Sequence, residues 1–154
     1  MTDDKYLYIV MELIEQGNLM EVQNKIVGNK WSFTEKDAAN LIKQILMALN
    51  YMHKQGVLHR DLKMENVMVD IEENGSGSPE LICKLTDFGF TVTLEKGEKT
   101  RQRLGTPLYM APEIINGQNY DSRVDTWALG IISYILLSDG KFPFTGRTNA
   151  QLFN

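Results

Sequence analysis

His59-Arg60-Asp61-Leu62-Lys63-Met64-Glu65-Asn66-Val67-Met68-Val69-Asp70, HRDLKMENVMVD, decides how this chain is read. An arginine, two acids, a lysine and an amide crowd the seven positions from Arg60 to Asn66, and an apolar Val-Met-Val run follows. Taken alone, Asp61 on such a turn is a solvated acid or an Asx-turn residue more often than a base. What the loop does therefore depends on what surrounds it.

Upstream stands the clearest helix, opening after Ser32 or Thr34 and closing at about Gln55, with Gly56 behind it. Thr34 is an N-cap with Asp37 three residues on, an imperfect capping box. Ile42, Ile45, Leu46, Leu49 and Met52 recur at helical spacing as one apolar stripe, and Met47 and Met52 read as packing residues. Further back, Met20 to Val27 reads as a short helix stopped by Gly28, and Tyr6 to Leu13 (YLYIVMEL) as a buried strand. Downstream, ENVMVDI and ELICKLTDF flank EENGSGSP, the pattern of a β-hairpin with an enlarged tip. Phe90 to Met110 is polar and aperiodic and reads as a mobile loop, whereas VDTWALGIISYILLS restores a helix apolar nearly all round.

The bulk numbers bound the function. With 154 residues the chain makes one ordinary domain, and 43% hydrophobic with 23% charged residues is a globular composition. A net charge of −4 with interspersed signs argues against a nucleic-acid partner. Cys83 is the only cysteine, so a reducing compartment is expected, cytoplasmic or nuclear. The N-terminus does not read as a signal peptide. Trp127 to Leu137, the longest mostly apolar stretch, falls short of the ~20 residues that span a bilayer, so no membrane partner is expected.

His59-Arg60-Asp61-Leu62 with Asn66 fits H-R-D-L-x-x-x-N; Asp87-Phe88-Gly89 and Ala111-Pro112-Glu113 follow in order. On these three motifs the chain resembles the eukaryotic-type protein kinases. Each triplet alone is weak; the ordered set is specific. The resemblance implies an α+β, protein-kinase-like fold, mostly the helical large lobe with a short remnant of the small-lobe sheet. Residues 1–13 would end the small lobe and form the hinge, and 14–154 would belong to the large lobe.

The resemblance also implies roles. Phosphoryl transfer has a loose transition state, so a protein mainly positions groups and neutralises charge. Asp61 would accept the substrate hydroxyl's proton and Lys63 would steady the transferred phosphate; DLKMEN after the histidine and arginine points to serine/threonine specificity. Asn66 and Asp87 would supply oxygens to Mg²⁺, which demands hard ligands. ATP would meet Met11 at the back of the adenine pocket, the Glu12 carbonyl and Ile14 N–H at the adenine edge, Asn18 near the ribose and Met68 beneath the base. Thr106, in GTPLYMAPE, would hydrogen-bond Asp61 and Lys63 in the segment that docks a protein substrate, and Glu65 would favour basic substrates or remain a solvated acid. His59 would pack and hydrogen-bond rather than act as a base, Asp125 would tie down the backbone at His59 and Arg60, and His53 has no partner evident in the sequence.

Departures are equally specific. Arg60 normally meets an activating phosphate, yet Gln102 stands four residues before Thr106, where many relatives carry phosphothreonine; Thr100 is the nearest candidate. No G-x-G-x-x-G occurs, Lys5 is the only lysine before the hinge, and neither Arg123 nor Arg147 matches the usual partner of Glu113. Little phosphotransfer by these 154 residues alone is therefore expected. Two other readings stay open: a kinase-lobe interaction module that binds partners without ATP turnover, and a small-molecule phosphotransferase, which usually lacks the DFG and APE pair.

Overall fold

A computed structural model of the chain describes residues 5–6, 8–28, 33–73 and 79–153. Helices α1 (Leu19–Gly28) and α2 (Glu35–Lys54) precede a two-residue strand β1 (Val57–Leu58). The hairpin β2 (Val67–Glu73) and β3 (Pro79–Leu85) comes next, then β4 (Val92–Thr93), α3 (Pro112–Ile115), α4 (Arg123–Leu137) and α5 (Asn149–Leu152).

The α2 start is decided locally. Asp37 N–H donates to Thr34 Oγ1 at 3.1 Å and Thr34 N–H donates to Asp37 Oδ2 at 3.1 Å, so aspartate completes the box that glutamate usually closes. Ser32, the alternative start, lies outside the described residues, as do 74–78 of the hairpin tip. Gly56, at φ +73°, ends the helix where a Cβ would stand 2.5 Å from the Leu94 carbonyl oxygen. That close approach belongs to the antiparallel pairing of β1 with β4, Val57 opposite Thr93 and Leu58 opposite Val92.

The core is built on α4. Its Leu129, Ile131, Ile132, Ile135 and Leu136 are buried with Leu41, Ile45 and Leu49 of α2 and with Leu62, Met64, Val67 and Val69. A smaller cluster of Leu58, Met110, Ala111, Ile114, Tyr120 and Val124 seats the α3 region. The buried line on α2 runs Ala38, Leu41, Ile45, Leu49, so the expected stripe is rotated: Leu46 and Met47 face solvent, and Ile42 and Met52 are half-buried. The rotation follows from α2 having two neighbours. While α4 takes the apolar line, the hairpin takes a polar one: Gln44 Nε2 donates to the Leu81 carbonyl at 2.7 Å and its Oε1 accepts from Cys83 N–H at 2.8 Å.

The hairpin runs in the expected place, with Val67 opposite Leu85 and Glu73 opposite Pro79. Phe90 to Met110 contains β4 and a 3₁₀ turn at Pro107–Tyr109, and Thr100 pairs with Tyr120 through both backbone bonds. The Tyr6–Leu13 strand is not formed among the described residues. Val10 is 86% and Leu13 83% exposed, and no strand among the described residues pairs with this segment, as a β-strand would require. The mixed α+β architecture agrees with expectation, and no helix among the described residues is long and apolar enough to cross a membrane.

Candidate active site

The catalytic-loop candidate is held from below by α4. Asp125, 1% exposed, accepts from His59 N–H at 2.9 Å and from Arg60 N–H at 2.8 Å. Its Oδ2 also meets His53 Nε2 at 2.8 Å, a partner 72 positions away that no local pattern announces. This anchoring holds Arg60 at φ +69°, a left-handed backbone that side-chain-bearing residues adopt only under constraint.

His59, fully buried, joins two segments. Its Nδ1 accepts from Asp61 N–H at 3.4 Å, so Nε2 carries the ring hydrogen and donates to the Thr86 carbonyl at 3.1 Å. The ring also lies against Phe88, with centroids 5.5 Å apart. Thr86 N–H returns to the Asn66 carbonyl at 2.9 Å, which brings the residue preceding Asp87 onto the catalytic turn.

Asp61 is the most heavily engaged acid. Thr106 donates to its Oδ1 twice, through N–H at 2.9 Å and Oγ1 at 2.8 Å. Lys63 Nζ lies 3.0 Å from Oδ2 and 3.2 Å from Thr106 Oγ1, and Asn66 Nδ2 reaches Oδ2 at 3.4 Å. Asn66 donates more strongly to the Asp61 carbonyl, at 2.9 Å. The structure thus brings together Asp61, Lys63, Asn66 and Thr106. Gly105 makes this possible: at φ +120° it passes so near the Arg60 carbonyl that a Cβ would sit 2.9 Å from that oxygen.

Asp87 is exposed, at φ +60°, with Oδ1 accepting from Gly89 N–H at 3.3 Å. Because Asn66 spends its Nδ2 on Asp61, its Oδ1 is the atom left for a cation. Together with the Asp87 carboxylate this is a donor set of hard oxygens, and Mg²⁺ is commonly held by one or two such groups plus substrate phosphates and water. Among the described residues no three His, Cys, Asp or Glu side chains converge as a self-sufficient metal site.

The residues expected around a nucleotide are more dispersed. Asn18 and Met68 form a backbone bridge, with Val69 N–H on the Gly17 carbonyl at 2.9 Å. Asn18 Oδ1 caps α1, accepting from Glu21 N–H at 3.0 Å. Ile14 is buried, whereas Met11 is exposed and Glu12 turns its carboxylate to Lys84. Glu65 is exposed and touches Tyr109 Oη at 3.5 Å; burial first, then this carboxylate, pushes the Tyr109 phenol upward. The sequence reading missed two contacts. One is His53 on Asp125. The other is the Gln102 side chain on Arg60, with Nη1 donating to Oε1 at 2.6 Å.

Known proteins are similar to this chain along almost its whole length. The chain is 46% identical over 148 residues to a probable myosin light chain kinase of Dictyostelium discoideum, covering 96% of this chain and 36% of that protein. It is 40% identical over 150 residues to calcium-dependent protein kinase 4 of Plasmodium falciparum, covering 97% and 26%. Identity is also 40% over 151 residues to calcium/calmodulin-dependent protein kinase type 1 of Caenorhabditis elegans, covering 98% and 40%. The chain therefore spans well under half the length of these relatives. The family model described as the protein kinase domain matches residues 1–154, so the chain belongs to the protein kinase domain family.

Proposed function

We propose that this chain carries the catalytic loop of a serine/threonine protein kinase that moves the γ-phosphate of ATP to a protein hydroxyl. The observation that carries the reading is the Asp61 carboxylate, fixed between Lys63 and Thr106 on a buried loop. In the step, the substrate hydroxyl oxygen bonds to the γ-phosphorus, the bond from that phosphorus to the β,γ-bridging oxygen breaks, and ADP leaves. Asp61 takes the hydroxyl proton. Its four acceptor contacts are all in use, so the substrate displaces the longest of them, the 3.4 Å contact from Asn66. Lys63, already 3.0 Å from Asp61, stands where it can meet the transferred phosphate's charge.

Mg²⁺, when bound, neutralises phosphate charge, and Asn66 and Asp87 would hold it. Met11, Glu12, Ile14, Asn18 and Met68 are assigned to the nucleotide side, with residues 1–13 as the hinge end of the small lobe. Thr106 and Glu65 are assigned to the docking of a protein substrate, Glu65 favouring a basic residue by charge pairing. The Lys63–Thr106 bond favours this reading over the interaction module, which would have no use for a lysine and a threonine focused on one acid.

The test is phosphate transfer from labelled ATP to a serine peptide by the full-length protein. Asp61→Asn should abolish transfer while the protein still unfolds in one cooperative transition, at a lower temperature because an amide N–H then faces the Thr106 or Lys63 donors. Undiminished transfer by that variant would remove Asp61 from the chemistry.

A further inference from the structure

Arg60 is 8% exposed, and no carboxylate of the described residues forms an ion pair with its guanidinium. A buried cation without a counter-charge is costly unless neutral acceptors satisfy it. Two do: the Phe90 carbonyl accepts from Nε at 2.5 Å, and Gln102 Oε1 accepts from Nη1 at 2.6 Å. Both belong to the polar segment that leads into Thr106.

Gln102 is itself staked down. Its carbonyl accepts from Tyr120 Oη at 2.7 Å, and Tyr120, almost wholly buried, is paired with the Thr100 backbone at 3.0 and 2.8 Å. Four residues on, Thr106 makes its two bonds to Asp61. We propose that Gln102 is a positioning residue: a neutral clamp that fixes the 100–106 segment on Arg60, so that Asp61 is aligned without a phosphate on this segment. This rests on the kinase reading and deepens it by naming how that site is kept in order. The Gln102 oxygen already accepts from the Arg60 Nη1 donor to which a phosphate on this segment could otherwise bind. The Thr100–Tyr120 pairing independently holds the chain at the spot where Thr100, the nearest hydroxyl, would be modified.

The experiment uses the full-length protein, dephosphorylated and checked by mass spectrometry, as wild type, Gln102→Ala, Gln102→Glu and Thr100→Ala. A hydrogen bond to a charged group is worth roughly tenfold or more in an equilibrium. Amide exchange at 100–106 should therefore quicken about tenfold in Gln102→Ala and stay as slow as wild type in Gln102→Glu. Peptide phosphorylation should survive dephosphorylation and Thr100→Ala. Gln102→Ala should lower kcat roughly tenfold with KM for ATP little changed, and Gln102→Glu should rescue it, since a carboxylate also accepts from Arg60. Equal exchange in all four proteins, or activity lost on dephosphorylation and indifferent to Gln102→Ala, would overturn the clamp. No phosphate transfer by any variant, with the exchange differences present, would instead overturn the kinase reading and leave the clamp standing.

Discussion

Replacing Asp125 with alanine should cost more than any other single truncation of a polar side chain in the catalytic region. The carboxylate takes two backbone N–H groups, of His59 and Arg60, and the ring of His53, all between 2.8 and 2.9 Å. Its removal strands two buried amides at ~1–3 kcal/mol each and frees the partly exposed His53 at a smaller cost. It also releases the restraint that holds Arg60 at φ +69°. The sum is about 3–6 kcal/mol, against the ~5–15 kcal/mol that holds a typical domain together. Asp125→Asn keeps the shape and one oxygen but faces an amide group against a donor, so roughly half that loss is expected, about 2–3 kcal/mol. Urea unfolding can be followed by the fluorescence of Trp127, two residues along α4 and half-buried. The midpoint should fall with the slope unchanged if only the native state is affected. A loss below ~1 kcal/mol for the alanine variant at constant slope would refute the anchoring role, because even one stranded amide exceeds it.

Three further outcomes are expected. Gly105→Ala sets a methyl 2.9 Å from the Arg60 carbonyl at φ +120°, and should cost ~1–3 kcal/mol in urea unfolding and lower peptide phosphorylation by loosening Thr106 from Asp61. Thr34→Ala should cost about 1 kcal/mol by uncapping α2, readable as a fall in Tm with the site's exchange pattern kept. Burial pushes the Cys83 thiol up to about 12, so iodoacetamide at pH 8 should label native protein far more slowly than protein in urea. Between pH 9 and about 12 the native thiol keeps its proton where the unfolded one has lost it. Its contribution to stability is therefore present below pH ~9 and declines as pH rises towards 12.

What the sequence disclosed were features whose signals are local. Thr34 and Asp37 lie three residues apart and close a box within one turn, so the α2 start needed no tertiary information. The hairpin was legible because two apolar runs flank one turn-rich tip, and α4 because its long apolar run marks a core helix, although Thr126, Gly130, Tyr134 and Leu137 line a face left to solvent. Asp61, Lys63, Asn66 and Thr106 came from ordered motifs, and the folded chain places these four in contact. Tyr6–Leu13 misled because β-propensity describes a surface suited to pairing without supplying the pair. Leu46 and Met47 misled because helical spacing marks an apolar arc, and only the neighbouring hairpin decides which edge of that arc is covered. His53 with Asp125, and Gln102 with Arg60, are side-chain contacts across 72 and 42 positions; neither leaves a periodic trace.

The hairpin whose open end carries Asn66 before β2 and leads to Asp87 after β3 is two strands wide among the described residues, so both of its flanks would ordinarily offer backbone groups to a stranger. Gln44 spans one flank with both ends of its amide, and the Gly17 carbonyl with the Asn18 bridge occupies part of the other. Invasion by a foreign strand, the usual hazard of so narrow a sheet, is thereby discouraged at both rims. Protection against self-association and constancy of spacing between the two motif segments come from the same few contacts.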